Sequence, residues 1–173
     1  MRKISVVGLV LAVGLCLLLA APVMAQPPAE EGTIPQDAWG PLNQGYDLIA
    51  DGKYDAAAEQ FKKVVKIDLN NPFALNNLGA IASQKGDYKS AMAFLKQATT
   101  KADKYKNKVA QTCFVAGLCN AVKPTKEVGA TSTIAPIVQE NIAKLKPKVE
   151  ALPPQPSTPP PMDLKKPGKE KGK

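Results

Sequence analysis

The feature that most constrains this chain is an internal repeat. Laid over residues 77–99, residues 43–65 put Asn43 on Asn77, Gly45 on Gly79, Gly52 on Gly86, Tyr54 on Tyr88, Ala57 on Ala91 and Lys62 on Lys96, each pair 34 residues apart. A 34-residue period carrying two short helical patterns signals a stack of helical hairpins, in which no single unit can bury its apolar face alone. The sequence therefore predicts an all-α fold, a short α-solenoid of antiparallel hairpins.

The repeated residues have a physical logic. Gly45, Gly79, Ala57 and Ala91 are small where two helices cross, so the backbones can approach closely. Gly52 and Gly86 fall after the first helix of each unit, where a left-handed cap is needed. Asn71 and Pro72 supply an N-cap and a first-turn proline for the next helix, and Tyr54 and Tyr88 begin the second helices. Beyond Asp103 the repeat fades. "YKNKVAQTCFVAGLCNAV" reads as a helix with Val109, Cys113, Ala116 and Leu118 apolar, standing where a third unit would start. After "KPTKEVGATST", Thr133 caps a stripe of Ile134, Ile137, Val138, Ile142 and Leu145. About three units make a stable stack, so these helices are expected to form a diverged third hairpin. The competing expectation is that the 134–146 stripe docks on a second copy as a homodimer.

These residues resemble tetratricopeptide repeats of an exported bacterial type. The second unit carries the pattern best, with Leu75, Leu78, Gly79 and Ala82, the "GDY" turn, then Ala91, Leu95 and Ala98. The first keeps Gly45, Leu48, "GKY", Ala57 and Phe61, but has Pro41 and Gln44 where the family usually has large apolar residues. The resemblance covers Pro41 to Lys104. It implies a non-enzymatic protein–protein interaction module or scaffold that grips an extended protein segment on the concave face of its first helices. At 100° per residue, Asn76, Asn77 and Ala80 lie opposite the stripe of Leu75, Leu78, Gly79 and Ala82. The implied peptide-binding residues are Asn43, Tyr46, Asn77, Ala80, Gln111 and Phe114, with an amide at successive 34-residue steps. A primary amide offers donor and acceptor together, which suits a peptide backbone whatever its side chains. Basic residues of the kind that clamp a C-terminal carboxylate are missing from this wall.

The ends of the chain say where it works. Residues 1–25 read as a signal peptide: Arg2 and Lys3, an uncharged run from Ile4 to Ala21, and small residues at Val23 and Ala25 before the expected cleavage. That 18-residue run also sits at the lower limit for an uncleaved inner-membrane anchor. The expected location is the periplasm. Residues 26–36 form a flexible leader, 37–104 the two repeats, 105–152 the diverged hairpin, and 153–173 a disordered tail rich in proline and then lysine. Cleavage leaves 21 lysines against 15 acids, a formal +6, of which +3 sits in the last 11 residues. The tail therefore suits an anionic lipid or cell-wall polymer, and an envelope-associated structural protein held by it is the alternative function.

Much chemistry is excluded at the outset. There is no histidine, no cofactor or metal motif, no nucleophile elbow and no phosphate-cradling loop, so neither an enzyme nor a metalloprotein is expected. Nucleic acid is not an expected partner, because the exported chain has no arginine for bidentate contacts. Cys113 and Cys119 enter an oxidising compartment, and they form either a disulfide, if the chain turns at Gly117, or two buried thiols.

Overall fold

The computed structural model describes residues 31–112 and 120–153. The signal segment, Phe114, Cys113, Cys119 and the tail beyond residue 153 lie outside the described residues. After a 3-10 turn at Gln36–Ala38, the order is α1 (Trp39–Ala50), α2 (Tyr54–Ile67), α3 (Pro72–Gln84), α4 (Tyr88–Thr99), β1 (Asn107–Thr112), β2 (Ala121–Val128) and α5 (Ile134–Glu150). The molecule is mostly helical, and α1/α2 and α3/α4 are the two antiparallel hairpins.

Each unit ends its first helix in the same way. Gly52 and Gly86 hold φ of 73° and 78°, a region that favours glycine because it lacks Cβ. The N–H of Gly52 donates to the carbonyl of Ile49 at 2.9 Å and that of Lys53 to Leu48 at 2.8 Å. Gly86 and Asp87 repeat this on Ser83 and Ala82, at 3.1 and 2.9 Å. These paired bonds satisfy carbonyls that a helix end leaves orphaned. At the other end of α3, Asn71 Oδ1 accepts the Ala74 N–H at 3.1 Å ahead of Pro72.

Close crossing explains the other glycines. A Cβ on Gly45 would lie 2.7 Å from the Phe61 ring, and one on Gly79 would lie 3.0 Å from Leu95 Cγ. Phe61, Val64, Phe73, Leu75, Leu78 and Leu95 form the buried centre of the stack. Tyr105 closes its far end, edge-on to Phe73 with ring centroids 5.7 Å apart. Its hydroxyl donates to Asp68, and burial, then Asp68, pushes the phenol well above its ordinary range.

The third unit departs from expectation. In place of the expected helix, residues 107–112 and 121–122 are strand, and β1 and β2 pair as an antiparallel ribbon, with Gln111 opposite Val122 and Thr112 opposite Ala121. Val109, Thr112, Val122, Thr125 and Val128 are β-branched, and Pro124 would break a helix interior, so local preference does not oppose the strands. α5 packs on α4 and α3, burying Ile134, Val138 and Leu145 and placing Lys148 Nζ 5.4 Å from the Tyr88 ring centre. The buried part of the apolar stripe is thus used within the chain. Its cap also differs: Ser132 Oγ accepts the Ala135 N–H at 3.1 Å, while the Thr133 hydroxyl donates to the Asn107 carbonyl at 2.8 Å.

Three alanine substitutions separate these roles. Gly45→Ala is expected to cost about 1–3 kcal/mol through overpacking on Phe61, and Gly52→Ala, in open space, about 1 kcal/mol from its backbone alone. Gly40→Ala, which meets nothing within 4 Å, should stabilise by up to about 1 kcal/mol through helix propensity. Urea unfolding of the three variants checks both the order and the signs.

Candidate functional site

α3 has no solvated face over most of its length. Residues 72–81 are all buried, with Leu75, Leu78 and Gly79 packed into the helical stack. The opposite side of the helix carries Asn76 and Asn77, both fully buried, so the structure must supply partners for two primary amides. It supplies them from β2 and α5.

Asn77 meets the backbone of Val122 as another strand would. Its Nδ2 donates to the Val122 carbonyl at 2.8 Å, and its Oδ1 accepts the Val122 N–H, also at 2.8 Å. Since Val122 directs both groups at α3, they point away from β1, and Pro124, two residues on, faces the same way. The N–H that proline lacks is one that would have found no strand partner there. Asn76 Nδ2 donates to the Asn120 carbonyl at 2.7 Å. Its Oδ1 accepts from Asn141 Nδ2 of α5 at 2.8 Å, and a longer bond of 3.4 Å links Asn76 Nδ2 to Asn77 Oδ1. Three asparagines from two helices thus hold the turn at Asn120 and the start of β2.

The remaining sequence-predicted residues divide. Tyr46 is buried beside the ribbon, with Lys123 Nζ 5.1 Å from its ring centre and bonded to Asp47 Oδ1 at 3.1 Å. Burial, and then Asp47, raises the Tyr46 phenol above its ordinary value. Asn43 is half-buried on α1 and takes no part in the clamp. Ala80 is buried beside a recess of about 40 Å³ that Asn120 and Asn141 also line, room for water rather than for a peptide. Gln111 does not stand on a helix at all: it sits in β1, across from Val122. The wall is therefore not an open surface at Asn77, because the chain's own strand meets it there, and Ala80 is buried as well.

Sequence reasoning missed Asn120, Asn141 and Val122 as members of the site. Asn141 did leave a signal. With Ile134, Val138 and Leu145 it occupies the inward face of α5, and a polar residue inside an apolar stripe asks for a buried partner. The strand left none, because the backbone of Val122 is recognised and not its side chain.

Residues 48–111 match the family model of the tetratricopeptide repeat. Over those residues the helical stack is similar to the tetratricopeptide repeat family. No curated protein and no solved structure matches the chain. Tetratricopeptide repeats generally mediate protein–protein interactions, and the family is typically non-catalytic. The chemistry on this wall agrees with that: amides that do not titrate, set to exchange hydrogen bonds with a main chain. Among the described residues no group of three His, Cys, Asp or Glu side chains is placed to hold a metal ion.

The clamp makes a sharp prediction. Asn77→Ala leaves the buried N–H and C=O of Val122 unpaired and should cost about 3 kcal/mol in denaturant unfolding. Asn77→Asp can still accept from the N–H, but its carboxylate faces the Val122 carbonyl oxygen. Burial and that carbonyl favour the protonated acid, so the folded-state pKa is raised above the unfolded value near 4. The variant should then be most stable below about pH 4 and lose stability as pH rises through the raised pKa. Wild type lacks this transition at position 77, and the difference between the two stability–pH curves isolates it.

Proposed function

We propose that the chain is a non-enzymatic protein–protein interaction module of the cell envelope, which takes an extended partner segment on its concave wall in exchange for its own residues 120–124. The observation that supports this is the two-way bond between the Asn77 amide and the Val122 backbone. A wall that reads a main chain accepts any extended segment of suitable bulk, so the resident strand and a partner segment compete for the same groups.

The energetics allow such an exchange. Three short amide bonds join Asn76 and Asn77 to the strand, worth about 1 kcal/mol each, and Val122 buries a side chain worth about 2 kcal/mol. The sum of about 5 kcal/mol falls at the low end of whole-domain stability and in the range of sub-global opening. A partner that replaces these contacts in kind meets an opening cost, not the loss of the fold. Export, read from residues 1–25, sets the compartment in which such a partner would be met.

Native-state hydrogen exchange tests the reading without a known partner. The Val122 amide is expected to exchange through an opening at least about 2 kcal/mol cheaper than the one that exposes the Leu78 and Leu95 amides of the stack. If Val122 exchanges only with those core amides, the strand leaves only on global unfolding, and the exchange reading fails.

A further inference from the structure

A second feature is built from residues of the ribbon that take no part in the clamp. A cleft of about 500 Å³ runs between the residues before α1 and the base of the ribbon, within the size range of small-molecule sites. Lys104, Lys106 and Lys126 line it, together with Trp39, Val128 and Glu31. The three lysines come from separate backbone positions, and each position is held.

Lys104 and Lys106 flank Tyr105, which is anchored in the core by Phe73 and Asp68. Gly32, at φ 88°, lies so close to the Lys104 carbonyl that a Cβ would sit 2.3 Å from its oxygen. The Gly129 N–H donates to the Lys106 carbonyl at 2.8 Å, closing the base of the ribbon. Lys126 stands at the irregularity between the Asn107–Val128 and Val109–Pro124 pairs, where extra residues in one strand re-aim a side chain. The neighbouring Glu127 pairs with Lys108. Among the described residues Lys106 and Lys126 have no carboxylate in ion-pair range, and Lys104 has only its neighbour Asp103 at 4.0 Å.

We infer that this cleft binds an acidic glycan, a polymer of sugar rings bearing carboxylates. Three ammonium groups supply the charge match. Trp39, half-buried, and Val128, 64% exposed, supply apolar surface for the C–H face of a sugar ring. Glu31 on the rim sets the ligand apart from a continuous polyanion: its carboxylate repels a chain of phosphates but accepts hydrogen bonds from sugar hydroxyls. The cleft shares no residue with the amide clamp, and it does not depend on the exchange proposed above.

Trp39 is the single tryptophan of the chain, so its fluorescence reports on the cleft directly. Oligogalacturonate added to the full chain is expected to shift Trp39 emission and protect it from acrylamide, while neutral dextran does neither. In low salt the Lys104→Gln/Lys106→Gln/Lys126→Gln variant should bind about tenfold more weakly, as the loss of three exposed charge contacts implies. Replacing the five tail lysines with glutamine should leave the affinity unchanged. An unresponsive Trp39, or equal affinity in the triple variant, overturns the site. Equal binding and equal acrylamide protection by polyphosphate or polyglutamate overturns the glycan assignment, since charge alone would then account for it.

Discussion

A primary amide is a peptide group without a chain attached, and a strand can pair with it as it would pair with another strand. The rest of this structure depends on that equivalence at Asn77. With its Nδ2 and Oδ1 both 2.8 Å from the backbone of Val122, the side chain ends a two-stranded ribbon that would otherwise present an open edge to α3. Asn76 and Asn141 extend the contact to Asn120. The buried polar network joins α3, α5 and the ribbon, so that two helical hairpins, a β-ribbon and a final helix share one core. Each amide atom of Asn76 and Asn77 has a partner, which is the condition under which buried polar groups specify a fold and do not weaken it.

The repeat itself was legible because its signals are local. Gly52 and Gly86 need only a chain reversal with positive φ, and Gly45 and Gly79 need only a facing helix with Phe61 or Leu95 on it. Asn71 and Pro72 act within one turn. Each of these constraints is met by residues within about 20 positions, and the 34-residue period states them twice. The two faces of α3 were legible for the same reason, since helical angles alone separate Leu75 and Leu78 from Asn76 and Asn77.

What covers the second face could not be read in the same way. Asn77 and Val122 are 45 residues apart, and the bond uses nothing of valine but its backbone. "KVAQT" and the "AV" that opens the second strand also look helical when the only question asked is where a third repeat belongs, although their β-branched residues favour extension. Tertiary pairing decided between these preferences. The amides suit a peptide backbone, and the backbone that Asn77 meets in this structure is the chain's own. Gln111 shows the converse, a residue placed on the wall by counting through a unit that is not helical.

The central claim is that the side chain of Asn77 exchanges hydrogen bonds with Val122 in solution. Scalar coupling across hydrogen bonds in an isotope-labelled sample tests it most directly. The account predicts correlations from the Asn77 side-chain N–H to the Val122 carbonyl carbon and from the Val122 amide to the Asn77 side-chain carbonyl carbon, with both protons slow to exchange. Asn77 side-chain protons that exchange at the rate of a free amide, with neither correlation present, would contradict it.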